Sequence, residues 1–361
     1  MNRSRNWQHP LLPEHSALQH EPAAHKAPRP LPLFLELVRD VAARDPELAR
    51  EALAGLKAYE SAPRVPLPVP KPELGRTGGA CLRDYGGSGP PAVLVPSLIN
   101  PPRILDLDSD VSLADAVSRM GRHALLLDWG KANERRGLTV AGHVEELLLP
   151  LLRSIGEPAG LIGYCLGGTM AIAAANLVPV ERVVTLAAPW HFARYPEQSK
   201  AALAAMWRHS RAAASELGAL PMEVLQAAFW SLDPERTVRK FAEFGRLARD
   251  SAEARRFVDL EDWANEGEPL PYPAAAELIE QLFGNDLPGA GRWEVAGRPV
   301  TEVLPVRCLH LLAGRDRIAP PETAPVGETC SIASGHVGMI VGSARERLHQ
   351  ELERFLDPAC R

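Results

Sequence analysis

The sequence predicts an α/β fold: a doubly wound, mostly parallel sheet with an inserted helical cap. Three observations predict it. Short β-rich runs alternate with helical stretches from residue 92 onward. A glycine-flanked turn joins an apolar strand to an Ala-rich helix at 161–170. A long helical stretch separates the fourth of the β-rich runs from the fifth.

Residues 1–30 are rich in Pro, His and charge without periodicity, which predicts a flexible arm. From 31 to 59, Leu33, Leu35, Leu37, Val38, Val41, Leu48, Leu53 and Leu56 recur at roughly helical spacing. Asp45-Pro46 divides this stretch, so two short helices are expected. Residues 62–71 alternate Pro with Val and Leu, the composition of an extended, semi-rigid connector. The division expected is an arm, short helices and linker over 1–75, then a catalytic domain over 76–361 with its cap at about 190–291.

Within that domain strands are expected at 92–95, 124–128, 160–164, 182–186, 306–312 and 328–332. Helices are expected at 113–120, 140–154, 166–177 and 338–355. The cap carries patterns such as Met222, Leu225, Ala228, Phe229 and Leu232, at helical spacing.

Composition narrows the function classes. A 361-residue chain with 46% hydrophobic and 24% charged residues has the make-up of a globular protein with a sizeable core. No apolar run approaches the roughly 20 residues of a membrane span, and residues 1–26 carry no secretion signal, so a cytoplasmic location is expected. Cys81, Cys165, Cys308, Cys330 and Cys360 are scattered without the close pairs of zinc sites or disulfide frameworks, and read as reduced thiols with no metal. A net charge of -5 without a Lys/Arg run argues against nucleic acid as a partner.

The chemistry centres on Gly163-Tyr164-Cys165-Leu166-Gly167-Gly168. Glycines two before and two after Cys165 let strand and helix approach closely and push the central side chain out, the layout of a nucleophile elbow. At the helix N-terminus the unpaired N–H groups and the dipole favour a thiolate, and the Leu166 N–H is placed to donate to an oxyanion. A buried cysteine in a glycine-rich turn would look similar. What separates the two is the order nucleophile, acid, histidine of the α/β-hydrolase fold: Asp316 follows the strand at 306–312, and His336 follows the strand at 328–332. Either residue alone would read as a polar loop residue; placed after successive strands, they read as a triad with Cys165. The second oxyanion donor is expected from the loop Val95-Pro96-Ser97-Leu98-Ile99-Asn100, at the Leu98 N–H. Trp230 and Trp263 read as cap core rather than substrate platforms, and His123, Asp128 and Trp129 as residues shaping a strand end.

At these residues the chain resembles the polyhydroxyalkanoate synthases, most closely the short class III catalytic subunit, over about 94–355. The resemblance is carried by Ile99-Asn100, Ile104-Leu105-Asp106-Leu107, Leu127-Asp128-Trp129-Gly130, the 163–168 box and Gly335-His336-Val337-Gly338. Leu260-Glu261-Asp262-Trp263 and Val295-Ala296-Gly297-Arg298 in the cap are also similar. The chain departs from the family before residue 90, at Asn100-Pro101-Pro102-Arg103, which lacks an aromatic residue, and at Arg317, where the family often has His.

The resemblance implies an acyltransferase. Cys165 would take a 3-hydroxyacyl group from coenzyme A, His336 would move the proton, and Asp316 would orient His336. The coenzyme A thioester is then substrate, and no cofactor is implied. A homodimer, an accessory synthase subunit and a polymer granule surface are the partners implied. Two other readings stay open: a cysteine-dependent thioesterase or intracellular polyester depolymerase, sharing the acyl-enzyme, and a non-catalytic granule-associated protein, against which the intact triad counts.

Overall fold

The computed structural model describes residues 27–357. Cys360 and nearly all of the arm expected at 1–30 lie outside the described residues.

The sheet has eight strands: β1 Glu73–Thr77, β2 Ala80–Asp84, β3 Pro91–Val95, β4 His123–Asp128, β5 Gly160–Tyr164, β6 Arg182–Leu186, β7 Arg307–Ala313 and β8 Glu328–Ile332. Their spatial order is β1-β2-β4-β3-β5-β6-β7-β8. β1 and β2 are antiparallel to their neighbours, and every pairing from β4 to β8 is parallel. β3 and β5 are buried along their whole length, as befits central strands covered on both faces.

The N-terminal helices are α1 Leu31–Ala42 and α2 Pro46–Glu60. Asp45 caps α2 by accepting from Leu48 N–H at 3.0 Å, with Pro46 at the first helical position. Around the sheet run α3 Leu113–Arg119, α4 over 140–154 with a wider π turn at its centre, and α5 Leu166–Ala175. α5 is buried throughout, which explains its Ala-rich, non-amphipathic sequence.

Between β6 and β7 the chain leaves the sheet to form α6 Glu197–Leu217, α7 Met222–Ser231, α8 Pro234–Gly245, α9 Ala252–Asn265 and α10 over 272–283. The N-terminal helices pack on this insertion. Phe34 of α1 meets Phe241 of α8 edge-on at 4.7 Å, and the Tyr59 hydroxyl donates to Asp262 of α9 at 2.6 Å. A side chain at Gly55 would put its Cβ 1.8 Å from the Phe241 carbonyl oxygen, so glycine permits this helix crossing. The two short helices expected at 31–59 thus supply part of the cap's core.

Two expectations need correction, and one pair of strands was unforeseen. The boundary expected between residues 75 and 76 falls inside β1, which pairs with β2. The hairpin β1–β2 was not expected, because β1 is a largely exposed edge strand, Glu-Leu-Gly-Arg-Thr, without an apolar face. The single terminal helix expected at 338–355 is two, α11 Gly338–Val341 and α12 Arg345–Leu356, because the chain turns extended at Gly342.

Candidate active site

Cys165 is the residue between β5 and α5, with φ 56° and ψ -131°. A non-glycine residue held there costs about 1–3 kcal/mol and persists only where its surroundings fix it. They do: the Cys165 N–H donates to Leu186 of β6 at 2.9 Å, and its carbonyl accepts from Gly168 N–H at 2.9 Å. A Cβ at Gly163 would lie 2.4 Å from Gly168 Cα, and one at Gly167 would lie 2.1 Å from the Val95 carbonyl oxygen. Strand, turn and the loop after β3 therefore meet with no room for a side chain.

Asp316 and His336 lie just beyond the ends of β7 and β8, at the same sheet edge as Cys165. Parallel strands make this juxtaposition, since all their carboxyl ends share one edge. His336 Nδ1 is 2.6 Å from Asp316 Oδ2, while Asp316 Oδ1 accepts from the N–H groups of Ile318 at 2.7 Å and Ala319 at 3.0 Å. The Tyr195 hydroxyl, donating to the Ile318 carbonyl at 2.9 Å, ties this turn to the segment after β6. His336 and Asp316 line the same cavity as Cys165. The three predicted residues are thus brought together.

The electrostatics follow from this grouping. Burial alone would pull the His336 imidazole down, but the charges of Cys165 and Asp316 and the hydrogen bonds to both outweigh it, and its pKa is pushed up to about 10. The Tyr164 ring lies 5.0 Å from the His336 ring, and its hydroxyl donates to the His336 carbonyl at 3.4 Å. Burial, reinforced by the charges of Cys165 and Asp316, holds that hydroxyl well above its usual pKa, so it stays a donor.

Leu166 and Leu98 are both buried. Among the described residues neither N–H has a hydrogen-bond partner. Leu98 lies between Ser97 and Ile99, which line the same cavity as Cys165. That cavity measures about 360 Å³ and has mostly apolar walls from the loop after β3, the elbow and the cap helices α7, α8 and α9. Trp230 and Trp263, expected as cap core, are buried and also form part of its wall. The Trp263 indole donates to the Pro101 carbonyl at 2.9 Å, joining α9 to the loop. Arg317 Nη1 lies 2.8 Å from Asp233 Oδ2 at the start of α8, a bridge between the acid loop and the cap. Sequence reasoning missed these cap contacts, since nothing local in the chain marks which cap residues face the sheet.

His123 sits as expected, 2.9 Å from Asp84 at the start of β4. Cys81, Cys308 and Cys330 are unpaired, as is Cys165. Among the described residues no group of three or more His, Cys, Asp or Glu has metal-binding geometry, and no helix is long and apolar enough to cross a membrane.

No protein-family profile matches the chain. It is similar to poly(3-hydroxyalkanoate) polymerase subunit PhaC of Haloferax mediterranei, 26% identical over 73% of this chain and 56% of that one. It is 23% identical to the protein of the same name from Haloarcula marismortui, over 70% of this chain and 58% of that one. The counterpart from Allochromatium vinosum is 24% identical, over 74% and 80%. The match spans a little over half the length of the first two relatives. Among solved structures, a putative non-heme bromoperoxidase from Mycobacterium tuberculosis superposes with a TM-score of 0.51 at 14% identity, covering 79% of this chain and 97% of that one. The fold is the α/β-hydrolase fold, as the elbow predicted, and the resemblance to polyhydroxyalkanoate synthases read from the motifs is borne out.

Proposed function

We propose that the chain is a cysteine-dependent acyltransferase of polyhydroxyalkanoate-synthase type, with Cys165, His336 and Asp316 as its catalytic triad. The observation that carries this reading is the convergence of Cys165, on a strained turn, and the bonded pair His336–Asp316 on one cavity beneath a helical cap.

The thiolate of Cys165 attacks the carbonyl carbon of a 3-hydroxyacyl-coenzyme A, and the oxygen takes the negative charge. The N–H groups of Leu166 and Leu98 stabilise that oxyanion. Collapse breaks the carbon–sulfur bond to coenzyme A, and the His336 imidazolium gives its proton to the departing sulfur. Neutral His336 then takes the proton of an incoming hydroxyl, whose oxygen attacks the Cys165 thioester. The ester forms, Cys165 leaves as thiolate, and His336 is again the imidazolium. Asp316 keeps Nδ1 protonated throughout and steadies the positive ring.

A thiol nucleophile suits this chemistry, because exchange between two thioesters is nearly balanced and leaves the acyl group reactive towards an alcohol. The apolar cavity under α7, α8 and α9 suits an acyl chain and limits water, which would end chain growth by hydrolysis. The thioester is the donor and no cofactor takes part. The test is mass spectrometry of the protein after incubation with 3-hydroxybutyryl-coenzyme A: an adduct on the Cys165 peptide is expected, and an adduct that persists in Cys165→Ala would overturn the assignment.

A further inference from the structure

A second cavity, of about 550 Å³, shares Ile99, Asn100 and Pro101 with the catalytic cavity. Five cations, Arg76, Arg83, Arg103, Lys131 and Arg135, line it together with four carboxylates, Asp128, Glu134, Glu266 and Glu268. Four have carboxylate partners, at 2.6 Å for Arg76–Glu73, 3.2 Å for Arg83–Asp128, 3.0 Å for Arg103–Glu266 and 3.0 Å for Lys131–Glu268.

Arg135 is different. It is 4% exposed, and among the described residues no carboxylate lies within ion-pair distance of it. Its Nη1 donates to His143 Nε2 at 3.2 Å, and its Nε has no hydrogen-bond partner. His143 is a neutral partner: its Nδ1 donates to the Thr139 carbonyl at 2.6 Å, and burial brings its pKa down to about 4. The charges of Glu268 and Asp128 reach Arg135 only from a distance. A buried cation without a contacting anion is costly because its lost hydration is not replaced, and an anion in the cavity would offset that cost.

The surroundings favour a phosphate group. A guanidinium presents paired donors that match phosphate oxygens. Two of the neighbouring cations, Arg76 and Lys131, have side chains 49% and 76% exposed, so their surface ion pairs are weak and can be exchanged for a ligand. The site also touches the catalytic loop. The His143 ring meets Trp129 edge-on at 5.7 Å, and the Trp129 indole donates to the Pro96 carbonyl at 3.1 Å, two residues before Leu98.

We propose that this cavity binds a phosphate group, with Arg135 as its buried cation, and, resting on the acyl-transfer reading above, that the group belongs to the phosphorylated nucleotide end of coenzyme A. The thioester end then enters the catalytic cavity past the shared wall at 99–101.

The test is calorimetric titration of the full chain with adenosine 3′,5′-bisphosphate and, separately, with inorganic phosphate. The bisphosphate has no thiol or acyl group, so its binding does not depend on Cys165. Binding is expected, weakened about tenfold or more by Arg135→Gln and about threefold by Lys131→Ala, with inorganic phosphate at least about tenfold weaker than the bisphosphate. Lys131→Ala, at an exposed side chain, and Arg135→Lys, which keeps the charge but loses the fork, supply folded variants if Arg135→Gln does not fold. No bisphosphate binding, or the same affinity in the wild type and in every folded variant, would overturn the proposal. Inorganic phosphate binding as tightly as the bisphosphate would overturn the assignment to coenzyme A. Bisphosphate binding without thiol release from an acyl-coenzyme A would leave the phosphate site standing and overturn acyl transfer instead.

Discussion

His336 and Asp316, from loops after two neighbouring strands, meet at 2.6 Å, and the second Asp316 oxygen is held by two backbone N–H groups. The carboxylate is therefore fixed before it orients the ring, and the imidazole has one nitrogen left for Cys165.

Asp316→Asn should leave the fold intact yet lower acyl transfer about a thousandfold or more, because the amide no longer stabilises the imidazolium. Thiol release from 3-hydroxybutyryl-coenzyme A checks it. A loss under tenfold would mean that His336 works without its partner.

The raised His336 pKa couples to stability. The group is charged in the folded state up to about pH 10 but only to about 6.5 when unfolded, so its contribution is full below 6.5 and is lost as pH rises towards 10. The melting temperature should fall over that window, and His336→Gln should flatten the fall. The same slope in the variant would show that other groups cause it.

Gly167→Ala should destabilise the protein by about 3 kcal/mol or prevent folding, since its Cβ would sit 2.1 Å from a backbone oxygen of β3. Urea denaturation measures it. A change under about 0.5 kcal/mol would show that the elbow tolerates a side chain.

Tyr59→Phe removes the hydroxyl that donates to Asp262 and should cost about 2 kcal/mol by denaturation. A neutral effect would mean that this hydrogen bond does not contribute to holding α2 on the cap.

Arg317→Ala breaks the partly exposed bridge to Asp233 and should change stability by less than about 1 kcal/mol. Its effect should appear in KM for the thioester, since the bridge joins cap to acid loop at the cavity. An unchanged KM would leave the bridge without a part in substrate entry.

The sequence made the proposed triad legible because each member sits where apolar strands end in glycine-marked turns: Gly163 and Gly167 around Cys165, Gly314 before Asp316, Gly335 before His336. Parallel strands then converge on one edge without further information. The packing of α1 and α2 on α8 was not legible, because Phe34 and Phe241 lie far apart in the chain and an amphipathic helix does not name its partner. Trp263 could be read as buried but not as cavity wall, since both roles ask for the same apolar residue. The isolation of Arg135 was equally hidden. Its neighbours Arg136 and Lys131 look alike in sequence, and only the fold buries one of the three away from a carboxylate.

The most direct test of the account follows both products of 3-hydroxybutyryl-coenzyme A: free thiol by colorimetry and the acyl product by size. The account predicts thiol release with esters of two or more hydroxyacyl units, both lost in Cys165→Ala and both kept in Cys308→Ala. Release of monomeric hydroxy acid alone, or release that survives Cys165→Ala, would contradict it.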